Sequence, residues 1–227
     1  MQRVDSFSPL LFLIVAAVFI SGCSQQSTVI RSQSGVNWFR SDGSVNWEAE
    51  KQQKYIQSDT IVIHHTDLTQ PTSWEDLSLI GRERLYIPRY ASESQDPYVK
   101  GKTVHSGHFR KMSLNGKVEV FYAYHWLVRA DGLSERLLAD EEVGWHSGDW
   151  IMNMRSIAIC FDGDFSQKAP TRKALRSCAR LISNYKRRWS SVHLIGHVDV
   201  VSTTCPGTWF NLSGRDKLLT LSGLKIP

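Results

Sequence analysis

Two metal-binding residue types stand eight positions apart near the C-terminal end of the chain, in Gly196-His-Val-Asp-Val-Val-Ser-Thr-Thr-Cys-Pro-Gly207. An imidazole and a thiolate together suit zinc, and a catalytic zinc keeps three protein ligands and one open position. His197 and Cys205 supply two such ligands, so a third must arrive from elsewhere. The stretch Ile61-Val-Ile-His-His-Thr66 offers it at the end of an apolar run. Neighbouring side chains on a strand point to opposite faces, so only one of His64 and His65 can face a metal.

The elements that must position these residues follow from the pattern around them. Ile61-Val62-Ile63 reads as a buried strand that delivers the histidines at its carboxyl edge. "VEVFYAYHWLVRADGLSERLL" reads as a hairpin, an aromatic-rich strand that returns after a turn at Asp131-Gly132. "RSIAICF" and "HLIG" are two further strands. Between them, within Thr171–Trp189, Leu175, Cys178, Leu181, Ile182, Tyr185 and Trp189 fall on one helical stripe with lysines and arginines opposite. Cys178 is most simply a core cysteine on that stripe, and a disulfide to Cys160 is the alternative. Residues 67–104 show no clear period and read as a long loop with one short helix near Trp74–Ile80. Strands alternating with helices predict an α/β fold, a single domain with a central mixed β-sheet flanked by helices.

The whole chain bounds what such a site can serve. Its 227 residues, 41% hydrophobic and 22% charged, are ordinary for a globular protein and suffice for a sizeable core. The net charge of +5 suits an anionic neighbourhood such as a membrane surface or cell wall. It does not argue for nucleic acid, because the longest basic run is Lys186-Arg187-Arg188, on the expected face of a solvated helix. Eight tryptophans are many for this length and suit broad binding surfaces. At the N-terminus, Arg3 precedes an unbroken apolar run from Leu10 to Ile20, followed by Ser21-Gly22-Cys23. That run falls short of the roughly 20 residues a spanning helix needs, and the pattern is that of a secretory signal.

The "ISGC" ending resembles the lipobox of bacterial lipoproteins, which makes residues 1–22 a signal peptide and Cys23 a lipidated first residue. Residues 23–55 then form an anchor and tether, and residues 56–227 the folded domain. Ser24 follows the cysteine, so the expected destination is the cell envelope, lipid-anchored to the outer membrane and facing the periplasm if the host is Gram-negative. Setting Cys23 aside leaves Cys160, Cys178 and Cys205. Three thiols in an exported protein cannot all pair internally, so at least one has another use.

Five motifs occur in one order along the chain: "IVIHHT", "YHWLVRADG", "VGWHSG", "SIAICFDGDF" and "GHVDVVSTTCPGTWF". In these, from about Ile61 to Phe210, the chain resembles the type 2 N-acetylmuramoyl-L-alanine amidase family, which includes phage cell-wall amidases and the peptidoglycan recognition proteins. An insertion lies across roughly 71–104 and has the length for a groove wall or lid. The resemblance implies an amidase_2/peptidoglycan recognition protein-like fold. It makes His64, His197 and Cys205 the ligands of Zn2+, with His65 facing away in a packing or hydrogen-bonding role. It places Tyr124 beside the reacting water, Thr203 where the developing oxyanion is stabilised, and His146 and Trp145 along the substrate groove. Asp199 orients a ligand loop or caps a turn. The implied reaction is hydrolysis of the amide between N-acetylmuramic acid and L-alanine in peptidoglycan or muropeptides, by a monomer.

One position departs from part of that family. A branch carries a glutamate base where this chain has Cys160, so the resemblance leaves the general base unassigned and groups the chain with members that carry the tyrosine instead. The competing expectation is a recognition protein that binds muropeptides without cutting them. Members of that kind typically lose a ligand, whereas His64, His197 and Cys205 are all present here.

Overall fold

The structure, a computed structural model, describes residue 54 and residues 56–94, 100–112 and 116–225. The expected signal segment, the lipidation site Cys23 and nearly all of the tether lie outside the described residues. In chain order the elements are β1 (Thr60–His65), α1 (Trp74–Gly81), a π-helical turn (Arg82–Tyr86), α2 (Ile87–Tyr90), β2 (His108–Met112) and β3 (Gly116–Val120). They continue with β4 (Trp126–Val128), β5 (Ser134–Arg136), α3 (Trp150–Arg155), β6 (Ser156–Phe161), α4 (Arg172–Arg188), β7 (His193–Gly196) and α5 (Arg215–Ser222).

The main sheet has the order β5-β4-β6-β1-β7. β4, β6, β1 and β7 run parallel, and β5 is antiparallel at one edge. Every residue of β1 and β6 is buried, because helices and connectors cover both faces of these central strands. Ile61 and Ile63 pack with Ile157, Ile159 and Phe161 beneath α4 and α5, against Leu175, Cys178, Ile182, Tyr185 and Leu218. Each such aliphatic side chain contributes about 1.5–3 kcal/mol by leaving water. The opposite face packs Leu127 and Cys160 against Tyr122, Leu138 and Leu77. The expected α/β architecture with a mixed sheet flanked by helices is the one observed.

α4 forms where the apolar stripe places it. Thr171 caps its first turn by accepting the Ala174 N–H at 3.1 Å, and Lys186, Arg187 and Arg188 favour its C-terminal carbonyls. Cys160, Cys178 and Cys205 are all free thiols, so the alternative disulfide between Cys160 and Cys178 is absent.

Two expectations of secondary structure need correction. The predicted hairpin is shorter: the turn at Asp131-Gly132 joins β4 to β5, while β3 leaves the main sheet and pairs with β2. The ladder breaks because the His125 ring takes the Ala158 N–H at its Nδ1, at 3.0 Å. Phe121, Tyr122 and Ala123 are all buried, without the alternation of a strand with one face to solvent.

The segment 67–104 is also more ordered than a loop with one short helix. Ser73 and Asp76 form a capping box, and helical turns then run without a break from Trp74 to Tyr90. Gly81 and Pro88 conceal this continuation, since both read as breakers. Gly81 is instead the point of closest approach, where an added Cβ would lie 1.9 Å from the Phe121 carbonyl oxygen. Among the described residues no helix is long and apolar enough to cross a membrane.

Lys54, assigned to the tether from sequence, is packed into the fold and only 2% exposed. Its backbone N–H donates to the Glu141 carbonyl at 2.7 Å. Its Nζ reaches the Ser156 carbonyl, Ser58 Oγ at 3.3 Å and His125 Nε2 at 3.1 Å. Burial lowers its pKa from 10.5 to about 7. Between those values the unfolded chain binds the proton and the folded chain does not, so this group makes stability rise with pH by up to about 1.4 kcal/mol per unit. Lys54→Met is expected to flatten that rise in urea unfolding measured from pH 7 to 9. Identical slopes for the two proteins would contradict the burial of an uncharged amine.

Candidate metal centre

The carboxyl ends of the parallel strands, where open α/β sheets bind their ligands, bring the expected residues together. Gly196 ends β7 opposite Ile63 of β1, so the next residue on each strand, His197 and His64, meet with ring centroids 4.6 Å apart. The loop after His197 returns Cys205, whose Sγ lies 3.7 Å from His64 Nδ1 and accepts the His65 N–H at 3.4 Å. One ligand atom from each of His64, His197 and Cys205 falls within 4.8 Å of the others.

Local hydrogen bonds hold that loop in shape. The Val198 N–H donates to the Cys205 carbonyl at 2.9 Å, and Thr203 Oγ1 accepts the Cys205 N–H at 3.2 Å. Asp199 accepts the Gly196 N–H at 2.7 Å and pairs with Arg215, so it both caps the turn and ties it to α5. Gly207 has φ +102°, and a Cβ there would lie 2.0 Å from the Phe165 carbonyl oxygen, so only glycine lets the loop close after Cys205.

The protonation states suit metal ligation by the imidazoles, which stay neutral and keep a lone pair to offer. Burial holds the His64 imidazole neutral, well below its ordinary pKa, and the neighbouring His146 and His197 rings oppose a charge there too. His197 is also kept below its ordinary value by burial. Burial pushes the Cys205 thiol up to about 12, so only a strong counter-charge would make it a thiolate. His197 Nε2 is buried without a hydrogen-bond partner. Two neutral imidazoles, one of them with an orphaned nitrogen, and a thiol converging on a point form a donor set that fits zinc.

His65 lies on the other face, with its Nδ1 accepting the Phe165 N–H at 3.1 Å. Tyr124 stands beside the centre, its ring 5.2 Å from that of His64. Burial and the nearby Cys160 and Cys205 sulfurs hold its phenol well above the ordinary range, and it shares a side-chain hydrogen bond with Cys160. Cys160 is therefore one step from the centre and fully enclosed. An apolar cleft of about 520 Å³, counting open solvent, lies beside Tyr124 and between the helical segment and the β3–β4 connector. Leu77, Ile80 and Leu85 wall it, so the expected insertion supplies one side.

His146 and Trp145, expected along the substrate groove, are both buried. His146 is 5% exposed and its Nδ1 lies 3.0 Å from His64 Nε2. Trp145 is 7% exposed and stacked on Tyr86, centroids 4.1 Å apart, with Arg89 over its ring. The sequence motif around them marks a buried support, built in part from residues that sequence reasoning missed. Asn153 Oδ1 accepts the His146 and Ser147 N–H groups, and Ser156 Oγ contacts His146 Nε2. Asp162 pins the segment after β1 by accepting from Thr72 and Arg129.

A mixed sheet whose parallel strand ends bring two histidines and a cysteine together defines an α/β protein with a candidate metal site. The chain belongs to the N-acetylmuramoyl-L-alanine amidase family (Amidase_2), which matches residues 53–208. It is 36% identical over 95 residues to peptidoglycan recognition protein 1 of Rattus norvegicus, covering 37% of this chain and 48% of that protein. The match thus spans about half the length of that relative. The fold is shared with the N-acetylmuramoyl-L-alanine amidase LysC of Clostridium intestinale, at 21% identity and a TM-score of 0.53 over 75% of this chain and 88% of that one. It is also shared with the Ph2119 endolysin of a Thermus scotoductus bacteriophage, at 17% identity and a TM-score of 0.52 over 77% and 91%.

Proposed function

We propose that the protein is a zinc-dependent amidase that hydrolyses the bond between N-acetylmuramic acid and L-alanine in peptidoglycan or its muropeptides. The observation that carries this is the buried, unpartnered His197 Nε2 beside His64 and Cys205. Family membership supplies the bond type. Zinc held by these three residues would lower the pKa of a bound water toward about 7 and polarise the scissile carbonyl. An unactivated amide needs both effects at neutral pH.

The chain's own groups do the rest. Tyr124 keeps its proton, because burial raises its pKa, and so acts by donating a hydrogen bond to the reacting oxygens. Thr203 accepts the Cys205 N–H through its oxygen, which leaves its hydroxyl proton free for the developing oxyanion. The cleft beside Tyr124 admits the apolar part of the substrate. Lipid on Cys23 holds the monomeric protein at the cell envelope, on the outer membrane facing the periplasm in a Gram-negative host.

Turnover separates this reading from muropeptide binding alone. Incubated with a molar excess of muropeptide, the purified protein is expected to release stem peptides with a free N-terminal L-alanine, counted by mass spectrometry, in excess of the protein present. Saturable binding with every muropeptide left intact would instead identify a recognition protein.

A further inference from the structure

Behind the metal centre runs a chain of hydrogen bonds that the proposed reaction does not use. His64 turns its Nδ1 toward Cys205 and its Nε2 toward His146 Nδ1, at 3.7 and 3.0 Å. His146 Nε2 lies 3.1 Å from Ser156 Oγ, and the Ser156 hydroxyl donates to the Met152 carbonyl. His64, His146 and Ser156 are all buried, so water does not complete these contacts in their place.

A carbonyl oxygen only accepts, and a serine hydroxyl has a single proton. Once Ser156 gives that proton to Met152, its oxygen can only accept from His146. His146 must then carry its proton on Nε2 and present a lone pair at Nδ1. His64 in turn must carry its proton on Nε2, which leaves the Nδ1 lone pair facing Cys205. The opposite direction would put the His64 proton on Nδ1, where it would block a cation.

We infer that His146 is a positioning residue, set by Ser156 and the Met152 carbonyl, that selects the one neutral tautomer of His64 able to ligate a metal. The inference rests on the zinc-binding reading of the site. It gives His146 a task other than lining the substrate groove, and it gives Ser156 and α3 a part in metal affinity. Asn153, also on α3, holds the His146 and Ser147 N–H groups, so the ring is fixed from its backbone as well. Supports of this kind change metal affinity about 10- to 100-fold when removed.

The test uses the full-length chain and zinc itself. In competition with a chromophoric chelator, His146→Leu is expected to weaken zinc binding about 10- to 100-fold. His146→Asn, whose amide oxygen can accept from His64 Nε2–H, is expected to recover most of the loss. In the metal-free protein, ¹⁵N NMR is expected to find His64 in the Nε2–H tautomer. In a folded Ser156→Ala chain it is expected to find a mixture. Unchanged zinc affinity in folded His146→Leu, or an Nδ1–H His64 in the unsubstituted chain, would overturn the inference. Should the unsubstituted chain bind no zinc, the functional reading fails, and the tautomer measurement still decides this one.

Discussion

Cys205→Ser is expected to strip zinc from the purified protein, from one ion per chain to near none, and to lower amide hydrolysis by about 10³-fold or more. Of the three proposed ligands the thiol is the one that would bind as an anion, and a serine hydroxyl does not ionise under the same conditions. The substitution nearly preserves shape, and apart from the His65 N–H bond to the sulfur the contacts holding the loop use the backbone of residue 205. Loss of metal is therefore expected without loss of fold, to be read as zinc content by mass spectrometry and as an unchanged circular dichroism spectrum. His65→Ala is the control, because that ring faces Phe165 rather than the centre. If Cys205→Ser kept its zinc while His65→Ala lost it, the ligand set would be wrong.

Tyr124→Phe carries the second large effect. It keeps the ring beside His64 and removes only the hydroxyl. The Tyr124 phenol is held well above its ordinary pKa by burial and by the sulfurs of Cys160 and Cys205, so at neutral pH it keeps its proton and, in the proposed reaction, would donate rather than accept one. Removing such a group is expected to lower kcat by about 10²- to 10⁴-fold, with KM and zinc content little changed. An unchanged kcat would place the proton transfer elsewhere.

Parts of this were legible in the sequence for definite reasons. β1, β6 and α4 announce themselves through unbroken or strictly periodic burial, because the same residues that set the period fill the core. Strand alternation requires that only one of His64 and His65 face the centre, the family resemblance selects His64, and the bond of His65 to the Phe165 N–H shows the alternation at work. The helical run to Tyr90 is hidden because Gly81 and Pro88 carry the signature of breaks, whereas Gly81 packs against a connector about forty residues away and Pro88 sits in the first turn of α2, where a proline is tolerated. The support under His64 was hidden for the same reason. His146, Ser156 and Met152 form one chain only after α3 and β6 have folded against each other, and no spacing rule joins "GWHSG" to "MRS". Lys54 gave no local sign of burial, since its contacts are with β6 and the residues around Glu141.

The most direct test follows product release and metal together in one preparation. Purified protein is incubated with peptidoglycan as isolated, after zinc removal with a chelator, and after zinc is restored. The expected result is release of stem peptides with free N-terminal L-alanine that stops when zinc is removed and returns in proportion to zinc bound, saturating at one ion per chain. Release that continues at full rate in the zinc-free protein would contradict the account.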